Sequence, residues 1–180
     1  MGRASKSGIT STAASSVGAC NPWLARPPCR ASRGREQPVR TTTRCTLLTN
    51  PAETNELTGR IIGCSVQVHR VLGPGLLELS YVPCLAFELK EAGMRVELKK
   101  AVPLVYRNIQ LDACYYLDML VNGTVIVELK SVADLAPIHK AQMLTYLKLT
   151  GCPVGLLMNF NVEVLKDGVR RIINPQWRPE

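Results

Sequence analysis

Leu117-Asp118-Met119-Leu120-Val121-Asn122-Gly123-Thr124-Val125-Ile126-Val127-Glu128-Leu129-Lys130 reads as two apolar strands folded back on an Asn-Gly pair. Val, Ile and Leu runs flanking Asn-Gly are the strongest short-range signal for a β-hairpin. Three charges interrupt the apolar run. Glu128 and Lys130 are two apart and therefore share a face of their strand, because strand side chains alternate. Whether Asp118 joins them depends on the turn. A two-residue Asn-Gly loop would pair Val121 with Thr124 and send Asp118 to the opposite face. A three-residue loop of Val121-Asn122-Gly123, with Gly123 left-handed as a bulge, pairs residues of equal parity and gathers all three charges. The second is the expectation.

Outward from the hairpin, the period of two extends back to Met94. Arg95 to Leu98, Val102 to Tyr106, Ile109 to Val121 and Thr124 to Lys130 are predicted as successive strands of an antiparallel meander. Before Met94 the period is helical. Leu57, Ile61, Cys64, Val68 and Val71 define an amphipathic helix from near Glu56 to the break at Gly73-Pro74-Gly75. Leu77, Tyr81, Leu85 and Leu89 define a second helix, from Leu76 to about Glu91, closed by Gly93. Pro83 predicts a kink or a late start there, since an interior proline costs about 3 kcal/mol.

After the hairpin, Pro137 opens a helix through Met143, Leu144 and Leu147 to Gly151. Val154 to Phe160 is a strand of the buried type, and Val169 to Ile173 is expected to pair with it past the Lys166-Asp167-Gly168 turn. The order, roughly ααββββαββ, is that of an α/β domain.

The 180 residues have a mean hydropathy of +0.05 and 46% apolar content, which suits one globular domain. No run approaches the roughly 18 uncharged apolar residues of a spanning helix. The net charge of +8 is unevenly placed. Residues 1–54 hold eight Lys and Arg against Glu36 and Glu53, which leaves 14 basic and 12 acidic residues for the remainder. Bulk charge is therefore a poor argument for nucleic-acid binding by the folded part.

Residues 1–54, rich in Ser, Thr, Arg, Ala and Pro and without periodicity, are expected to be a disordered basic extension, with the domain over 55–175 and a tail over 176–180. The extension superficially matches an organellar transit peptide, lacks a secretory apolar segment, and has Lys6 where myristoylation wants Ser or Thr. Cys20, Cys29, Cys45, Cys64, Cys84, Cys114 and Cys152 form no C-x-x-C pair and are read as reduced thiols of a cytoplasmic protein.

Two carboxylates converging from adjacent strands offer the hard oxygens that Mg²⁺ or Mn²⁺ prefers, with positions left for water and phosphate. A lysine beside them can stabilise phosphate charge or orient a water. The competing reading is a half-exposed structural ion cluster, in which Lys130 merely neutralises Glu128 and Asp118.

Further blocks narrow the choice. Gly75-Leu76-Leu77-Glu78-Leu79-Ser80-Tyr81, preceded by Val68-His69-Arg70 and Leu72-Gly73-Pro74, is similar to the name-giving pattern of the GxxExxY family of the PD-(D/E)xK nuclease superfamily. Leu117 to Val121, Ile126 to Lys130, Pro137 to Gln142, Leu144 to Lys148 and Leu156 to Asn161 resemble its remaining blocks, so the resemblance covers about residues 55–175. It implies a restriction-endonuclease-like core, a mixed sheet flanked by helices. It also implies Asp118 and Glu128 as metal ligands, Glu78 as a further carboxylate at the metal from the helix, and Lys130 as a catalytic group. Gln142 and Tyr146 match the Gln-x-x-x-Tyr pair of the RecB-like branch, and their spacing of four puts them on one helix face. The chain departs from the pattern at Tyr116-Leu117, where polar and small residues are usual, and at Val82-Pro83, where acidic residues often follow the tyrosine. His69 and His139 lack nearby ligand pairs and are read as structural or substrate-contacting.

The function expected is a Mg²⁺-dependent nuclease acting on nucleic acid, in the first place DNA. The alternative is a non-catalytic nucleic-acid-binding or interaction module that retains the fold, and a third reading is action on another phosphate-bearing substrate. Because the domain itself is nearly neutral, a homodimer, another partner or the basic extension is expected to add to strand binding.

Overall fold

The computed structural model describes Cys45, residues 50–107 and residues 109–178. The expectation of a disordered extension falls mostly on residues outside these. Its last residues, however, enter α1 (Pro51–Leu72). The helix begins about one turn before its apolar period because capping decides the start: Asn50 Oδ1 accepts from Ala52 N at 2.9 Å, and Pro51 takes the first position, where its missing N–H costs nothing. Gly73, at φ 68°, ends it and donates its N–H to His69 O.

Helix α2 spans Glu78–Glu91 and runs unbroken through Pro83. Strand β1 is Val96–Tyr106, one strand where two were expected, followed by β2 (Ile109–Val121) and β3 (Val125–Lys130). Lys99 joins the two halves of β1 with a left-handed φ of 48°, a conformation that nothing in a lysine announces. Helix α3 (Pro137–Thr150), β4 (Val154–Asn159), a short α4 (Leu165–Gly168) and β5 (Val169–Ile173) complete the chain.

The sheet order is β1-β2-β3-β4-β5. All neighbours are antiparallel except β3 and β4, which are parallel and need the crossover that α3 provides. Both central strands are buried on both faces. On one face Met119, Val121, Val127, Leu129 and Leu156 pack against Ile61, Leu85 and Leu89 of α1 and α2. On the other, Leu120, Ile126 and Leu157 pack against Met143, Tyr146 and Leu147 of α3. Gly155 lets α3 come this close, since a Cβ there would collide with Met143 Sδ.

Cys45 and Cys152 form a disulfide, with Cα atoms 5.1 Å apart. This corrects the reading of all cysteines as reduced thiols, which rested on spacing along the chain and could not register a pair separated by 107 residues. Cys64 and Cys84 are thiols. Among the described residues no helix is long and apolar enough to cross a membrane.

Candidate active site

Asn122 and Gly123 both have positive φ, 50° and 68°, and Thr124 N donates to Val121 O across them at 3.0 Å. The ladder then pairs Val121 with Val125, Leu120 with Ile126 and Met119 with Val127. The loop is thus Asn122-Gly123-Thr124, one residue later than expected, and equal parity holds. The paired register ends at Met119 and Val127, and just beyond it Leu129 N donates to the Asp118 side chain, which brings Asp118 beside Glu128 at the end of the hairpin.

Both carboxylates are buried, at 5% and 4% relative exposure, so each ion lacks most of its water shell. Asp118 Oδ2 accepts from Leu129 N at 3.2 Å, and its Oδ1 accepts from Lys99 Nζ at 2.6 Å. Glu128 Oε1 accepts from Lys130 Nζ at 2.8 Å, whereas Glu128 Oε2 is buried without a hydrogen-bond partner. Burial, then the neighbouring Asp118 charge, pushes the Glu128 carboxyl up to about 7. Burial pulls the Lys130 ammonium down, but Glu128, Glu78 and Asp118 together outweigh it and hold it above the ordinary lysine range.

Glu78 approaches from the first turn of α2, with Oε1 3.7 Å from Lys130 Nζ. Burial raises its carboxyl, against the lowering by Lys130. Its position follows from the Gly-x-x-Glu-x-x-Tyr spacing. Gly75 turns the chain at φ 95°; Tyr81 Oη donates to Gly73 O at 2.7 Å and accepts from Leu76 N at 3.1 Å; Ser131 Oγ donates to Leu76 O at 2.6 Å. These contacts tie the loop before Glu78 to the end of β3, and Pro83, five residues later, does not draw Glu78 away.

On α3, Gln142 Nε2 donates to Tyr146 Oη at 2.6 Å. Burial and then the Glu128 charge raise the Tyr146 phenol. The histidines are structural in these contacts: His69 Nε2 meets Val162 O at 2.9 Å, and His139 Nδ1 accepts from Ala136 N at the start of α3.

Two residues at the site lie outside the charged hairpin and the Gly-x-x-Glu-x-x-Tyr spacing. Lys99 lies opposite Asp118 in the β1–β2 register, and its left-handed backbone sits where its ammonium meets Asp118. Sparsely populated backbone of this kind costs about 1–3 kcal/mol and gathers at functional sites. Asn159, buried at the end of β4 beside Lys130, accepts from Val132 N and donates to Val132 O at 2.7 Å, fixing the loop that leaves Lys130. A buried asparagine closing an apolar strand was the available signal.

Among the described residues no three His, Cys, Asp or Glu side chains converge closely enough to hold an ion unaided. What the site offers is two adjacent carboxylates, one with a buried free oxygen, and a third carboxylate beyond Lys130. That set fits Mg²⁺, which keeps several waters and binds through one or two carboxylates plus substrate phosphate, and it does not fit a closed zinc site.

A family model described as the PD-(D/E)XK nuclease superfamily matches residues 55–172. No curated protein and no solved structure matches the chain.

Proposed function

We propose, from the premise that this chain belongs to the PD-(D/E)XK nuclease superfamily, that it hydrolyses phosphodiester bonds of nucleic acid, in the first place DNA, with Mg²⁺ or Mn²⁺ at Asp118 and Glu128. The observation that carries the reading is Glu128 Oε2, a buried carboxylate oxygen without a partner, beside a second buried carboxylate. Such an atom is costly unless a ligand completes it. The cation, when bound, supplies Lewis acidity and lowers the pKa of a water.

The chain's own groups do the rest. Lys130, protonated between Glu128 and Glu78, stabilises negative charge on the phosphate and orients the attacking water. Glu78 adds negative charge at the metal side through Lys130. Lys99 and the Leu129 amide hold Asp118 in register with Glu128. Gln142 fixes the Tyr146 hydroxyl on the α3 side, where both can contact substrate. The finer placement, in the GxxExxY family, is supported by the structural work that Gly75, Glu78 and Tyr81 share.

Purified protein is expected to nick plasmid or single-stranded DNA in Mg²⁺ or Mn²⁺, with the activity reduced about a thousandfold in Asp118→Ala and Lys130→Ala. The ion pairs Lys99–Asp118 and Lys130–Glu128 favour a second reading, a binding module without turnover whose lysines already neutralise the carboxylates. Calorimetry separates the two, since absence of Mg²⁺ and Mn²⁺ binding by the wild type overturns the catalytic reading.

A further inference from the structure

The sheet register extends the site in a direction the motif residues do not mark. Glu128 pairs with Leu157, and Leu157 with Arg170. Glu128, Leu157 and Arg170 therefore form one row across β3, β4 and β5, and Asp118 adjoins it where its Oδ2 accepts from Leu129 N. Arg170 shares parity with Ile172, which packs in the core under α3, so Arg170 belongs to the same face as the carboxylates. Two inter-strand spacings put it about 10 Å from Glu128.

A cavity of about 420 Å³ lies there, lined by Leu135, Pro137, Lys140, Leu157, Arg170 and Arg171 among others. Lys140 comes from the first turns of α3, the helix that also presents Gln142 and Tyr146. Arg170 donates Nη1 to the carbonyls of Asp167 and Val169, which fixes its guanidinium and leaves its other N–H groups for a ligand. No described carboxylate pairs with Lys140, Arg170 or Arg171. In a domain whose charge is nearly balanced, an unpaired cationic cavity that shares Leu157 with the row of Glu128 is a local feature and not a consequence of net charge.

We infer that this groove holds the sugar-phosphate backbone of the nucleic-acid strand beside the scissile bond, with Lys140 and Arg170 on the phosphates and Leu135, Pro137 and Leu157 as the apolar floor. This rests on the nuclease reading for its direction, since the strand runs from the groove to Glu128. Arginine's fixed fork and lysine's point charge are the side chains suited to phosphate.

The test uses the full chain carrying Asp118→Asn, so that no cleavage intervenes, and fluorescence anisotropy with a labelled single-stranded DNA oligonucleotide across a salt series. Adding Lys140→Ala and Arg170→Ala is expected to reduce the slope of log affinity against log salt by about 1.4, which is about 0.7 for each lost phosphate contact on a single strand. Adding Lys148→Ala and Lys166→Ala instead removes the same charge outside the groove, and a much smaller change is expected. Equal losses in the two pairs, or an unchanged slope in the groove pair, overturn the inference; the latter is also what a groove for acidic peptides would give. If the alanine pair lowers the melting temperature, Lys140→Gln with Arg170→Gln, which keeps the stems, replaces it. Mg²⁺-dependent plasmid nicking by the wild type reads the carboxylate centre separately. Its absence overturns the nuclease reading, while the salt slopes still decide the groove.

Discussion

The two faces of β2 and β3 carry alternate residues of the same strands and do opposite things. Toward α1 and α2 the side chains are Met119, Val121, Val125, Val127 and Leu129, all buried and all apolar. Toward α3 the same backbone presents Asp118, Glu128 and Lys130 among Leu120 and Ile126. The first face gains free energy from every side chain it buries, about 1.5–3 kcal/mol for each Val, Leu or Met. The second buries charges whose desolvation their pairing only partly offsets. One face is apolar throughout, and the other sets a buried charged cluster into its core.

The largest effect that would sharpen this contrast is on activity. Asp118→Ala and Lys130→Ala are expected to reduce cleavage by about three orders of magnitude, roughly 4 kcal/mol of transition-state stabilisation, while far-ultraviolet circular dichroism stays native. Plasmid nicking measures it. Loss of the folded spectrum in both variants would make the charged face structural and erase the distinction.

On the opposite face Leu85→Ala should cost about 2–5 kcal/mol in urea unfolding through the cavity it leaves, with metal affinity per folded molecule unchanged. A parallel loss of metal affinity would show the two faces to be one cooperative unit.

Next is pH. With its carboxyl pushed from 4.5 to about 7, Glu128 binds its proton more tightly folded than unfolded. Its contribution to metal-free stability is fully present below about 4.5 and is lost as pH rises through about 7. Glu128→Gln should accordingly flatten the fall in melting temperature between pH 5 and 8, read by calorimetry in chelator, because the amide does not ionise. In the wild type, Mg²⁺ should raise the melting temperature more at pH 8 than at pH 5, since it competes with that proton.

The smallest effect concerns Lys99. Lys99→Gly relieves the left-handed backbone, worth about 1–3 kcal/mol, but leaves the buried Asp118 carboxylate without its ion-pair partner, so the two effects on stability should largely offset. Cleavage should still fall roughly tenfold as Asp118 loses its tether. Unchanged cleavage would confine Lys99 to the ion pair alone.

The hairpin was legible because its information is local. Asn-Gly demands left-handed backbone, alternation assigns faces, and equal parity follows once the loop has three residues; only the loop's position was off by one. The helices were legible from their period and caps, with α1 starting at Asn50-Pro51 because a cap outranks the first apolar residue. Strand β1 was split in two because Lys99 and Lys100 interrupt its apolar run, and a lysine's spelling does not record a φ of 48°. Lys99 and Asn159 escaped notice for the same reason: their partners, Asp118 and Val132, lie 19 and 27 residues away.

By itself, then, the sequence determined an α/β fold, the charged hairpin and the Gly75-Glu78-Tyr81 spacing, since each depends on neighbours within a few residues. Only the tertiary structure decided which oxygen is left without a partner, which lysine holds which carboxylate, and that Arg170 stands in the same row as Glu128. Those follow from strand register and burial, which bring together residues that the chain keeps apart.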